Sequence, residues 1–164
     1  MQFEPSAFDI QCMKLAIAQS QQGMDGNFGG PFGAVIAQEG RIIAANHNRV
    51  VWRGREDPTA HGEITTIRAA CRKLHTPWLE GSTLYTNCQP CPMCLTSSMW
   101  AHIRRIMFAC TKEDAANIGF DDLPFYEQTR IEEFPEVIEF VQLMRAEAWE
   151  VMKQWPEKTG KKDY

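Results

Sequence analysis

No run of about 18 or more apolar residues occurs in the 164-residue sequence, so no membrane-spanning helix is expected. The start, Met1-Gln2-Phe3-Glu4-Pro5, lacks a basic stretch followed by an apolar one. No secretory leader is read there, and a cytoplasmic protein is expected. Basic charge is also short: 17 Lys and Arg face 21 Asp and Glu, a net charge of −4. A dedicated nucleic-acid binder needs clustered cations to neutralise phosphates, and this balance argues against one without excluding a local basic patch. Internal repeats and low-complexity linkers are missing, so residues 1–164 are read as one domain. At 44% hydrophobic and 23% charged residues the composition excludes collagen, coiled coil and bulk disorder. The terminal residues hold Lys158, Lys161 and Lys162, and their plain reading is a frayed, solvated end.

Cysteine is not scarce. Of six, Cys88, Cys91 and Cys94 crowd into seven residues, which suits metal or redox chemistry better than a disulfide framework. Cys12, Cys71 and Cys110 read as small buried apolar residues.

Apolar spacing predicts a helix over 6–22 with Ser6 as its cap, and a glycine-rich loop over 23–31. Residues 33–37 and 41–45 read as a hairpin, 60–74 as a second helix and 83–86 as a third strand. A third helix opens at Pro92 and runs to about Ala101, and 105–109 is a fourth strand. Residues 137–141 read as a fifth strand or as part of a helix running to Trp155, and 110–135 carries little pattern. Alternating strands and helices imply an α/β layered fold.

Three segments carry chemistry: Asn48 after the hairpin, Asp57-Pro58-Thr59-Ala60-His61-Gly62-Glu63, and Gln89-Pro90-Cys91-Pro92-Met93-Cys94. Cys91 and Cys94, three apart at a helix start, can present both sulfurs to one ion. A redox pair or an iron–sulfur cluster competes for this spacing, but the fourth cysteine of a cluster would fall at Ser98. His61 supplies a third metal ligand. Glu63, two residues on, reaches the same place only near an open helix end. Three protein ligands leave a position for water, whose pKa zinc lowers to about 7, and Glu63 is then placed to carry its proton. Cys88 as a fourth ligand would instead close a purely structural zinc site.

His-x-Glu followed by Pro-Cys-x-x-Cys resembles the zinc-dependent cytidine and nucleobase deaminases. Within them the sequence is most similar to bacterial guanine deaminases, on Gly29-Gly30-Pro31-Phe32-Gly33-Ala34-Val35, Asp57 to His61, Pro90 to Cys94 and Gly119-Phe120-Asp121-Asp122. The ending Lys161-Lys162-Asp163-Tyr164 is similar as well, and the likeness runs from about Pro31 to Tyr164. Transfer-RNA adenosine deaminases share the two central motifs. Gly62 stands where the family usually has Ala, and Gln89 where it usually has Glu.

The resemblance implies a three-layer α/β/α cytidine-deaminase-like fold with a five-stranded mixed sheet. It implies one catalytic zinc on His61, Cys91 and Cys94, hydrolysis of guanine to xanthine and ammonia, and Glu63 as proton carrier. Phe32, Asn48 and Asp122 are placed around the substrate. A homodimer is implied, exchanging residues from about 145 to 164, with Tyr164 closing the partner's site. This opposes the frayed reading of the tail. Asp122 and Glu127 are both candidates for a second proton transfer, Glu127 on nearness in sequence alone. Trp100 is expected to pack in the core. The alternatives are a tRNA adenosine deaminase, a deaminase of cytosine, a nucleotide or an amino-triazine, and a structural zinc module.

Overall fold

A computed structural model describes residues 4–52, 54, 56–129 and 138–161. Its five strands are β1 (Gly33–Gln38), β2 (Arg41–His47), β3 (Ser82–Cys88), β4 (Arg105–Cys110) and β5 (Glu139–Gln142). They form one sheet in the order β2-β1-β3-β4-β5. β1 runs antiparallel to β2 and β3, and β3, β4 and β5 are mutually parallel, so the sheet is mixed as expected.

Strand side chains alternate between faces, and the two cores follow that period. Val35, Ala37, Tyr85, Met107 and Ala109 pack on one face with Cys12, Met13 and Ala16 of α1 (Ala7–Asp25) and Ala148, Val151 and Met152 of α6 (Arg145–Met152). Ala34, Ile36, Leu84 and Ile106 face the other way, against Ala70 of α2 (Gly62–Leu74) and Leu95 of α3 (Pro92–Trp100). Helices on both faces of one sheet make the three layers.

Local chemistry sets the helix ends. Ser6 caps α1, its hydroxyl accepting from Asp9 N at 3.1 Å while Asp9 accepts from Ser6 N at 2.8 Å. α1 lies so close to β1 that a Cβ on Gly33 would meet Ala16 O at 2.3 Å. The segment of weak pattern holds two short helices, α4 (Lys112–Asn117) and α5 (Leu123–Thr129). The strand-or-helix question after residue 137 resolves for the strand, at Glu139–Gln142; no helix runs through it, and α6 begins only after Met144 takes a left-handed conformation at φ 59. Arg145 forks onto Asp114, which also closes the capping box of α4, so one carboxylate ties α6 to α4.

The edge strand β2 carries a bulge. Ala44 pairs with Ile36 and Ile42 with Ala37, leaving Ile43 without a register partner. Lys73 Nζ from α2 donates to Ile43 O at 2.9 Å. No helix among the described residues is long and apolar enough to cross a membrane.

Registry also gathers one end of the sheet. Gly33 pairs with His47, and Ala34 with Thr86, so the start of β1, the end of β2 and the end of β3 lie together. Phe32, Asn48 and Cys88 sit at or next to those three ends.

His47 at the end of β2 is buried, its Nδ1 3.3 Å from Gln19 Oε1 and its Nε2 without a partner among the described residues. Burial, reinforced by Arg49, lowers its pKa from 6.5 to about 4. The fold therefore holds the neutral ring, while the unfolded chain takes up a proton below 6.5. Stability from this group is complete above pH 6.5 and is lost as pH falls toward 4. Urea unfolding of the protein and of His47→Phe across this window should show a pH-dependent loss on the order of 2–3 kcal/mol only with histidine present.

Candidate metal centre and active-site cleft

α2 begins one residue after His61 and α3 one residue after Cys91, each residue holding an extended N-cap conformation. Helix α2 thus starts at Gly62, two residues later than the expected 60, and this leaves His61 free to turn away from the axis. Glu63, in the first turn, reaches the same place, as an open helix end requires. Pro92 fits the first position of α3, where no intrahelical partner for an N–H exists.

His61 Nδ1 lies 3.6 Å from Cys91 Sγ and 3.6 Å from Cys94 Sγ. All three donor atoms lie within 4.8 Å of one another, the one such group of His, Cys or acidic residues found among the described residues. A tetrahedral zinc with ordinary Zn–S and Zn–N bonds separates such atoms by about 3.5 Å, so the donor set fits zinc in both spacing and type. The neighbouring Cys94 thiol lowers the Cys91 pKa well below 9, with His61 adding to it, whereas burial raises that of Cys94. Cys88 does not join the group. Its buried thiol points at Thr111 O, 3.5 Å away, and it is not the fourth ligand in this arrangement.

The centre lies in a cleft of about 990 Å³. Phe32, Asn48, Glu63, Gln89 and Asp122 share its lining with His61 and Cys91. Glu63 is 6% exposed, and burial, reinforced by the Cys91 thiolate, raises its pKa to about 7. Asp122 Oδ1 is buried without a hydrogen-bond partner among the described residues, and burial raises its pKa to about 6. Asn48 is almost fully buried. Its Oδ1 accepts from Val50 N at 2.9 Å and its own N–H donates to Phe32 O at 2.8 Å.

Two sequence expectations fare differently. Glu127 is exposed on α5 and is not among the cleft-lining residues, because the turn of α5 directs Tyr126 inward instead. Trp100 is 80% exposed at the end of α3, on the cleft rim and not in the core. Tyr164 lies outside the described residues. Sequence reading gave no role to Phe120, whose ring meets Phe32 edge-on at 4.8 Å and Trp155 at 5.5 Å. Nor did it single out Tyr126, whose hydroxyl donates to Pro90 O and fastens α5 to the metal-binding turn.

The two departures from the family pattern have local consequences. A Cβ at Gly62 would lie 3.2 Å from Phe32 O, so alanine there needs a small shift of the cleft floor. Gln89 Oε1 accepts from Lys112 N at 3.4 Å, while Nε2 is buried without a partner among the described residues. A glutamate there would add a further carboxylate to a cleft that already holds Glu63 and Asp122.

Residues 6–110 match the cytidine and deoxycytidylate deaminase zinc-binding region. The chain belongs to that deaminase family. It is 39% identical over 152 residues to guanine deaminase of Bacillus subtilis, covering 93% of this chain and 96% of that protein. The solved structure of that enzyme covers 94% of this chain and 98% of its own, with a TM-score of 0.70. A guanine deaminase structure from Nitrosomonas europaea, 25% identical, covers 96% and 88% with a TM-score of 0.78. A tRNA-specific adenosine deaminase of Agrobacterium fabrum is 35% identical over 127 residues, covering 76% and 79%. The family match supports the zinc reading of the donor set.

Two substitutions separate a catalytic zinc centre from a closed structural one. Cys91→Ser should lose zinc measured by plasma mass spectrometry, and Cys88→Ala should retain about one zinc per chain. Loss of zinc from Cys88→Ala would return the structural reading.

Proposed function

We propose that the protein hydrolyses guanine to xanthine and ammonia. One observation carries the reading: a His–Cys–Cys centre with a buried glutamate beside it lines a cleft roomy enough for a nucleobase, in a chain 39% identical to a guanine deaminase along nearly its whole length.

Zinc held by His61, Cys91 and Cys94 would supply a water acidic enough to act as nucleophile near neutral pH. Glu63 takes the proton of the attacking water and delivers it to N3 of the ring as oxygen adds at C2. Its burial keeps it from being levelled by solvent and holds it next to the ligands. Asn48 offers an amide that both donates and accepts, which suits the edge of a purine. Phe32 packs on the ring face. The departing amino group needs a second proton, because an amine leaves poorly as an anion. Asp122, with its unpartnered buried oxygen in the cleft, is assigned that transfer over the exposed Glu127.

The acting form is a homodimer in the cytoplasm, with Tyr164 closing the cleft of the partner subunit. In an exchanged dimer the same side chains, Ala148, Val151 and Met152, fill the equivalent slot in the partner. Related amino-azines such as amino-triazines present the same amidine and are secondary substrates.

Ammonia release should be measured from guanine, adenine, cytosine, cytidine, an amino-triazine and a tRNA stem-loop. Guanine should be turned over fastest, and activity on the stem-loop alone would replace this reading with the tRNA one. Glu63→Gln should keep its zinc and lose roughly 10²- to 10⁴-fold in kcat. Removal of residues 161–164 should lower kcat/KM on the order of tenfold or more with little change in Tm.

A further inference from the structure

We infer that Asn87 is the positioning residue of the substrate platform, clamping Phe32 from both sides. The inference rests on the reading above that Phe32 packs against the base. Asn87 is the penultimate residue of β3 and has no exposed surface. Its Oδ1 accepts from Gly33 N at 2.7 Å, and its Nδ2 donates to Pro31 O at 2.9 Å. Gly33 N and Pro31 O flank Phe32 in the chain, so one carboxamide fixes the backbone before and after the platform residue. Phe32 N donates to Gly30 O at 2.8 Å, and Phe32 O accepts from Asn48 N at 2.8 Å. The clamp therefore also reaches the residue assigned to the edge of the base.

Only a primary amide meets both needs at this place. Aspartate would set an acceptor against Pro31 O, and leucine would leave a buried N–H and a buried carbonyl unpaired. The position explains why the clamp matters for substrate binding. Asn87 precedes Cys91 by four residues on the same strand-to-helix turn. That single turn sets the ligand on one side and the platform on the other, and so fixes the distance between them. Asn87 is not among the residues that line the cleft, nor is it one of the donor group.

Asn87→Ala, Asn87→Ser, Phe32→Ala and the Asn87→Ala/Phe32→Ala pair test this. Asn87→Ala should retain zinc, raise KM for guanine on the order of tenfold and change kcat by less than about threefold. Hydrogen exchange at the Gly33 amide should accelerate on the order of tenfold or more, because that N–H loses its acceptor. The paired variant should be no worse than Phe32→Ala, since a clamp has no effect once the ring it holds is gone. Asn87→Ser, which reaches only one of the two peptides, should lie between and serves if the alanine variant does not fold. Unchanged Gly33 exchange, additive effects with Phe32→Ala, or zinc loss in step with activity would overturn the clamp. Should the unaltered protein release no ammonia from guanine, the proposed substrate fails. The clamp is then judged by Gly33 exchange and by KM for whichever base in the panel is turned over.

Discussion

Two helix starts brought within bonding distance of one ion are the constraint on which the rest depends. His61 and Cys91 both occupy N-cap positions, where a side chain ordinarily accepts a hydrogen bond from its own helix. Neither does so. Each helix forgoes a contact worth about 1 kcal/mol, and its cap side chain is turned to metal binding. The positive ends of both helices point at the donor set, which favours thiolate over thiol. The sheet makes this possible: α3 follows β3 directly, while the antiparallel β1–β2 hairpin returns the chain to the same end before α2 begins. Every cleft residue discussed lies beside one of those strand or helix ends, or in the segment that follows α4.

Much of this was legible in the sequence. Period-two and helical spacing placed the first four strands and the three long helices to within a few residues, because burial against one sheet imposes those periods. The metal ligands were legible because zinc binding restricts residue type and spacing together. Glu63 was legible only through geometry: a residue two after His61 shares its site solely at an open helix end, and α2 opens there. The less legible parts depend on long-range contacts. Asp122 and Glu127 both follow Gly119 within eight residues, and only the fold puts Asp122 in the cleft lining while burying Tyr126 and leaving Glu127 exposed. Trp100 looked like a core residue because a tryptophan is costly to expose. Its exposed place at the end of α3 is set by tertiary structure. Asn87 has no local signal, since both its partners lie more than 50 positions away.

The cleft floor shows how small residues and polar ones share a task. Gly33 admits α1 against β1, and Gly62 admits the Phe32 carbonyl against α2. Asn48 and Asn87 then hold the same backbone by hydrogen bonds. An aromatic row from Phe32 through Phe120 to Trp155 continues from that floor toward the C-terminal segment. The platform is thus held by backbone contacts on one side and packed rings on the other.

The bulge at Ile43 bears on how this protein behaves in company. An unpaired strand edge is a template on which another chain's strand can add, the first step in many aggregates. Here the edge is bent at Ile43, and the carbonyl released by the bend is met by the Lys73 ammonium. An incoming strand would have to break that charge-assisted bond before it could pair at Ile43. The interruption that looks like a flaw in the hairpin therefore works against strand addition at this edge of the sheet.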